Sequence, residues 1–93
     1  MQTLTLFYQE TCPYCIKAEK AIRELREENP AYGGVEIEWI EETRQPALAD
    51  LYDYYYVPTI FAGETKLYEA SPLHDYKAIR RHIRAAFDAA LKQ

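Results

Sequence analysis

The sequence predicts an α/β domain in which a mixed four-stranded sheet, built in the order β-α-β-α-β-β-α, is covered by helices. Three observations carry this. Short runs rich in β-branched and aromatic residues, Thr3–Tyr8, Val35–Trp39 and Val57–Phe61, are separated by stretches of helical period. The first strand–helix–strand unit has a connection long enough for parallel pairing, with a right-handed crossover as the default. After the third run the pattern changes to a Gly-containing turn, a short returning strand and one closing helix. With 93 residues and no linker, repeat or low-complexity stretch, one domain spanning residues 1–93 is expected.

In Thr3–Tyr8, Leu4 and Leu6 point to one face while Phe7 makes the other face apolar too, as a central strand requires. Gln9-Glu10-Thr11 is a loop. From Pro13 the period is helical, with Cys15, Ala18, Ile22 and Leu25 on one face. Pro13 suits a first helical turn, where its missing N–H costs nothing. Asn29-Pro30 and Gly33-Gly34 end this helix. Val35, Ile37 and Trp39 then alternate with Glu36 and Glu38, the pattern of a strand with one wet face. A second helix is predicted from about Pro46 to Tyr54, turning Leu48, Leu51, Tyr52 and Tyr55 inward. Val57–Phe61, interrupted by Pro58, is the third strand; Ala62–Thr65 is a hairpin loop and Lys66–Tyr68 the returning strand. Ser71 and Pro72 are read as the cap and first turn of the last helix, whose stripe is Leu73, Tyr76, Ile79, Ile83, Phe87 and Ala90.

Composition narrows the partners. The formal net charge of −4 disfavours nucleic acid, whose phosphates select basic surfaces. An acidic run (Glu36, Glu38, Glu41, Glu42, Asp50, Asp53) and a basic one (Lys77, Arg80, Arg81, Arg84) are read as solvated faces. No stretch has the length of a membrane span, and the first residues lack the pattern of a secretory signal. A cytosolic, membrane-free monomer is the expectation. In that reducing compartment two cysteines three positions apart mean redox chemistry or metal, not a disulfide framework. Metal is the poorer choice: a structural zinc needs four ligands, and only His74 and His82 could join the cysteines.

The chemistry lies in Cys12-Pro13-Tyr14-Cys15. Cys12 stands where a strand gives way to a helix, so unpaired backbone N–H groups and the positive end of the helix dipole favour a negative sulfur there. Cys15, one turn on, shares its face and lies among Ile16, Ala18 and Ile22, which should keep it buried. Cys12 is therefore the candidate nucleophile and Cys15 the candidate resolver, which attacks the mixed disulfide formed at Cys12.

Tyr8-Gln9-Glu10-Thr11-Cys12-Pro13-Tyr14-Cys15 resembles the opening of a dithiol glutaredoxin, and Tyr56-Val57-Pro58-Thr59-Ile60-Phe61 resembles that family's second landmark. The resemblance spans the chain in length and element order. It implies a thioredoxin fold, active-site support from Pro13, Tyr14 and Pro58, and a cis Val57–Pro58 bond beside the cysteines. It also implies substrate contacts at Gln9, Tyr14, Val57, Pro58 and Ser71, with the Val57 backbone pairing with glutathione or a peptide disulfide. No bound cofactor is implied; glutathione is the expected co-substrate, and the partners are disulfide-containing proteins or glutathione.

Two departures stand out. Gln9 occupies a place where many glutaredoxins carry a cation, with Glu10 beside it, and Tyr68-Glu69 replaces the family's usual Gly-Gly pair. These weaken the case for tripeptide capture. They keep open a thioredoxin-like redoxin recharged by a flavoprotein reductase. From another class, a module holding an iron–sulfur cluster between subunits also stays open, although Pro13 is stiffer than the residue such proteins usually have there.

Overall fold

The computed structural model describes residues 2–92. Its elements are β1 (Leu4–Tyr8), α1 (Pro13–Glu28), α2 (Pro30–Gly33), β2 (Ile37–Glu41), α3 (Pro46–Ala49), β3 (Thr59–Ala62), β4 (Thr65–Glu69) and α4 (Tyr76–Leu91). The sheet order is β2-β1-β3-β4. β1 pairs parallel with β2 and antiparallel with β3, and β3 pairs antiparallel with β4. The central strand is thus β1, as its two apolar faces predict. Leu4 and Leu6 pack with Ile60 and Tyr68 against α1 and α4, meeting Ala18, Ile22, Leu25, Ile79, Ile83 and Phe87. Phe7 points the other way, into a smaller cluster with Ile40 and Phe61 that Leu48, Tyr52, Tyr54 and Val57 cover.

The helices on the large face are tied by polar contacts as well as packing. The Tyr76 hydroxyl donates to Glu24 (2.5 Å), and Arg80 pairs with Glu24 and Glu28. Part of the basic run is therefore engaged with α1 and not simply solvated, whereas Glu36 and Glu38 are exposed. Gly63 closes the β3–β4 hairpin at φ 59°, in the left-handed region where a side chain is strained.

Several boundaries differ from the sequence reading. Asn29 does not simply end α1: its side chain accepts from the Ala31 N–H and opens the extra turn α2, whose Tyr32 is buried and donates to Asp88 (2.6 Å). The predicted second helix stops after one turn at Ala49. Leu51 and Tyr55 face solvent, at 78% and 88% exposure, while Tyr54 stacks on Phe7 and Tyr52 packs at a steep angle against Phe7 and Phe61. Ring packing on the sheet wins over helical period there. β2 begins at Ile37, past Val35, and as an edge strand leaves Trp39 half-exposed against Tyr8. β3 begins only after Pro58, whose nitrogen cannot join a ladder.

The last helix starts four residues beyond Pro72, at Tyr76, with Asp75 as its cap accepting from Ala78 N–H (2.8 Å). Ser71 instead accepts from the Leu73 N–H (3.1 Å) in a tight turn, and Leu73 is exposed. Both residues are cap formers; the carboxylate wins because it stands directly before the apolar stripe. His74 consequently lies in the loop and not on α4. Its ring stacks on His82 (4.8 Å between centroids), and both stack on Tyr68.

Candidate active site

Cys12 is the last extended residue before α1 (φ −77°, ψ 122°), and Pro13 follows as the first helical residue. Proline fixes the first turn and contributes no N–H to it. The Cys12 carbonyl already accepts from the Ile16 N–H (3.0 Å), but its side chain makes no capping bond. The sulfur is half-buried and lies 3.7 Å from the Val57 carbonyl. That carbonyl is delivered by the Val57–Pro58 bond, which is cis, as the resemblance implies.

Cys15 sits one turn deeper and is 6% exposed. Ala18 and Ile22 are buried near it along α1, but Ile16, about a further 100° round the helix, turns out to solvent at 57% exposure. Both cysteines are free thiols. Burial pushes the Cys15 thiol up to about 12; the Gln9 backbone N–H (3.4 Å) acts against this, while Cys12 and the Glu42 charge add to it. The two sulfurs therefore differ by environment: one looks out past the cis-proline loop, the other is held as a protonated thiol beneath it.

Gln9 is tied to the site through both its backbone and its side chain. Its backbone N–H serves Cys15, and its side-chain amide donates to Glu42. Glu42 also accepts from the Tyr54 hydroxyl (2.6 Å), whose ionisation burial and that carboxylate both oppose. Glu41 accepts from the Thr43 N–H (2.7 Å), the Thr43 hydroxyl (2.6 Å) and the Glu10 N–H (3.2 Å), holding the loop before Cys12 to the end of β2. Tyr14 reaches across the mouth of the site to donate to the Pro72 carbonyl (3.3 Å).

The structure thus brings together Cys12, Pro13, Tyr14, Cys15, Gln9, Val57 and Pro58. Ser71 is next to Pro72 at the rim, but it does not open a helix whose N–H groups could take a carboxylate. Sequence reading missed Glu42 and Tyr54 as neighbours of the site. Glu42 had a signal: in a parallel pair the residues after β1 and β2 emerge at the same edge, and the register Tyr8↔Glu41 puts Gln9 beside Glu42.

A reduced Cys-X-X-Cys pair at a helix start, facing a cis-proline loop on a mixed four-stranded sheet, defines a thiol–disulfide oxidoreductase of the thioredoxin fold. The comparisons with known proteins agree. The glutaredoxin family model matches residues 4–66, and the chain belongs to the glutaredoxin family. Among solved structures it is similar to an Asn-to-Gln variant of thioredoxin from Halobacterium salinarum, at 27% identity and a TM-score of 0.57, covering 89% of this chain and 72% of that one. It also shares its fold with thioredoxin 1 from Thermosipho africanus, at 14% identity and a TM-score of 0.59, covering 96% and 98%. No curated protein sequence matches the chain.

Proposed function

We propose that this protein reduces protein disulfides and glutathione mixed disulfides by dithiol exchange, in a reducing compartment such as the cytosol, as a monomer without a bound cofactor and with glutathione as co-substrate. The observation that carries the reading is the asymmetry of the thiols: a half-buried Cys12 at a helix start and a buried Cys15 pushed up to about 12.

The Cys12 thiolate attacks one sulfur of the substrate disulfide; a Cys12–substrate disulfide forms and the other substrate sulfur leaves as a thiolate. That step removes the negative charge at Cys12, and with it one of the influences that keep Cys15 protonated. Cys15 then gives up its proton, through water, to the substrate thiolate released in the first step, with the Gln9 N–H placed to stabilise the Cys15 anion, and attacks the Cys12 sulfur. The second substrate thiolate leaves and a Cys12–Cys15 disulfide remains. Two electrons have passed to the substrate, and glutathione thiols return them.

A second reading is favoured by Glu42. Its carboxylate, not a cation, meets the Gln9 amide, so the site repels a tripeptide carboxylate where the family usually attracts one. On that reading a flavoprotein reductase recharges the dithiol, as for a thioredoxin. The test is turnover with glutathione and its reductase against turnover with a thioredoxin reductase, together with Cys15→Ser on a glutathionylated peptide. Retained Cys15→Ser activity, with a high KM, supports the glutathione reading. A dead Cys15→Ser and turnover only with the flavoprotein reductase replace it with the second reading, and an inactive wild type refutes both.

A further inference from the structure

Between α3 and β3 the chain runs from Asp50 to Pro58 without a helix or a strand, and it ends in the residue pair that faces Cys12. Tyr52, Tyr54 and Val57 pack on the sheet and Pro58 is buried, but Tyr55 and Tyr56 between them are exposed, so packing does little to hold this two-residue stretch. What holds it is Glu69, at the end of β4 opposite Thr59. One carboxylate oxygen of Glu69 accepts from the backbone N–H groups of both Tyr55 (2.7 Å) and Tyr56 (2.9 Å). The other oxygen accepts from Lys66 Nζ (2.7 Å). Burial pushes the Glu69 carboxyl up, but Lys66 and the two N–H groups outweigh it and hold the group ionised below the usual carboxylate range.

The carbonyls on either side of Val57 are tied as well. The Thr59 hydroxyl donates to the Tyr56 carbonyl, and the Pro58 carbonyl accepts from the Ala70 N–H (3.0 Å). The Val57 carbonyl is the one turned toward Cys12. A peptide docking beside Cys12 must find the Val57 backbone in one place, and the exposed Tyr55-Tyr56 stretch leading into it holds that place more closely when its backbone is anchored.

We infer that Glu69 is a positioning residue: by gathering the Tyr55 and Tyr56 N–H groups it sets the Val57 backbone against Cys12 and so governs how tightly a peptide disulfide docks. The inference rests on the disulfide-exchange reading. Its geometry explains why a carboxylate serves here: one oxygen takes two backbone donors while the other takes an ammonium.

The test compares wild type with Glu69→Ala, Glu69→Gln and Lys66→Met, using a peptide disulfide as substrate, amide hydrogen exchange of Tyr55 and Tyr56, and alkylation of Cys12 by iodoacetamide. In Glu69→Ala, kcat/KM should fall about tenfold through KM, and exchange at the two amides should quicken by a similar factor. Cys12 alkylation should stay within about twofold of wild type, because the thiol itself is untouched. Glu69→Gln keeps a carbonyl oxygen for the N–H groups and should recover most of the loss; Lys66→Met, which keeps the carboxylate and both N–H bonds but removes the ammonium that helps hold it ionised, should fall between Glu69→Ala and wild type. Should Glu69→Ala fail to fold, Glu69→Asp, shorter by one methylene, carries the same comparison. Unchanged amide exchange, or loosened amides with an unchanged KM, overturns the role of Glu69. A wild type that cannot reduce the peptide overturns the oxidoreductase reading, and this role with it.

Discussion

Brief alkylation of the reduced protein with iodoacetamide, at about pH 8, should label Cys12 and spare Cys15. The size of the contrast follows from the site. With its thiol pushed up to about 12, Cys15 is ionised to only about one part in ten thousand at about pH 8. An unperturbed thiol near about 8.5 is ionised to roughly a quarter at the same pH. That gap is about three orders of magnitude, of which the greater nucleophilicity of a more basic sulfur returns about one and a half. Cys15 should therefore react about fifty- to a hundredfold more slowly than an ordinary thiol. Burial to 6% exposure adds a steric barrier to that. The assay is quantitative peptide mass spectrometry on a time course, repeated in Cys12→Ser. The variant removes the influence of Cys12 but keeps the burial and the Glu42 charge, so Cys15 should remain slow. Labelling of Cys15 as fast as Cys12 in wild type, or at a free-peptide rate in Cys12→Ser, would refute both the environment and the division of roles.

Other outcomes are as definite. Asp75→Ala should cost about 1 kcal/mol of stability and Ser71→Ala under about half of that, since only Asp75 caps α4; urea titration compares them, and the reverse order contradicts the helix start. Phe87→Ala, at a fully buried ring stacked on Tyr32, should cost about 3–5 kcal/mol by the same measurement, and a loss under about 1 kcal/mol would place Phe87 outside the core. The Glu41 carboxyl is held below its ordinary range by the Thr43 hydroxyl and N–H, against burial. Its folded value lies below the unfolded one, so its stabilisation is complete above about pH 4.3 and disappears as pH falls through the folded value. Thr43→Val should accordingly lose less stability than wild type between about pH 6 and about pH 3, and equal losses would contradict the assignment. Gln9→Lys should lower KM for a glutathionylated peptide by less than about tenfold, because Glu42 stands ready to pair with the new ammonium; a larger gain would mean that Glu42 does not hold position 9.

Much of this architecture could be read in one dimension because its signals are local. The two apolar faces of Leu4–Tyr8 name a central strand, and the change of period at Pro13 places Cys12 at a helix start. The Gly63 turn marks a hairpin, and the spacing of Cys12 and Cys15 names the chemistry. Each depends on the conformational preferences of a few neighbouring residues, which are similar in any context. Local reading failed where such preferences competed with packing. The period from Pro46 onward is helical, but Phe7 and Phe61 offer a better seat to Tyr52 and Tyr54 than another helical turn does. At the last helix Ser71 and Asp75 are both cap formers, and the choice falls to whichever lets the stripe from Tyr76 onward meet α1.

Sequence by itself picked out the residues to which the proposed reaction is assigned: a thiol pair at a strand–helix junction and a proline ahead of an apolar strand. Only the tertiary structure decided what surrounds them. The order β2-β1-β3-β4 brings the ends of β1 and β2 to one edge, so that Glu42 meets Gln9. It also sets β4 beside β3, so that Glu69 gathers the N–H groups of Tyr55 and Tyr56. These partners lie far apart in the chain, and a charged side chain accepts whatever donor the fold delivers. Its hydrogen bonds are therefore set by strand order and register, which no local pattern encodes.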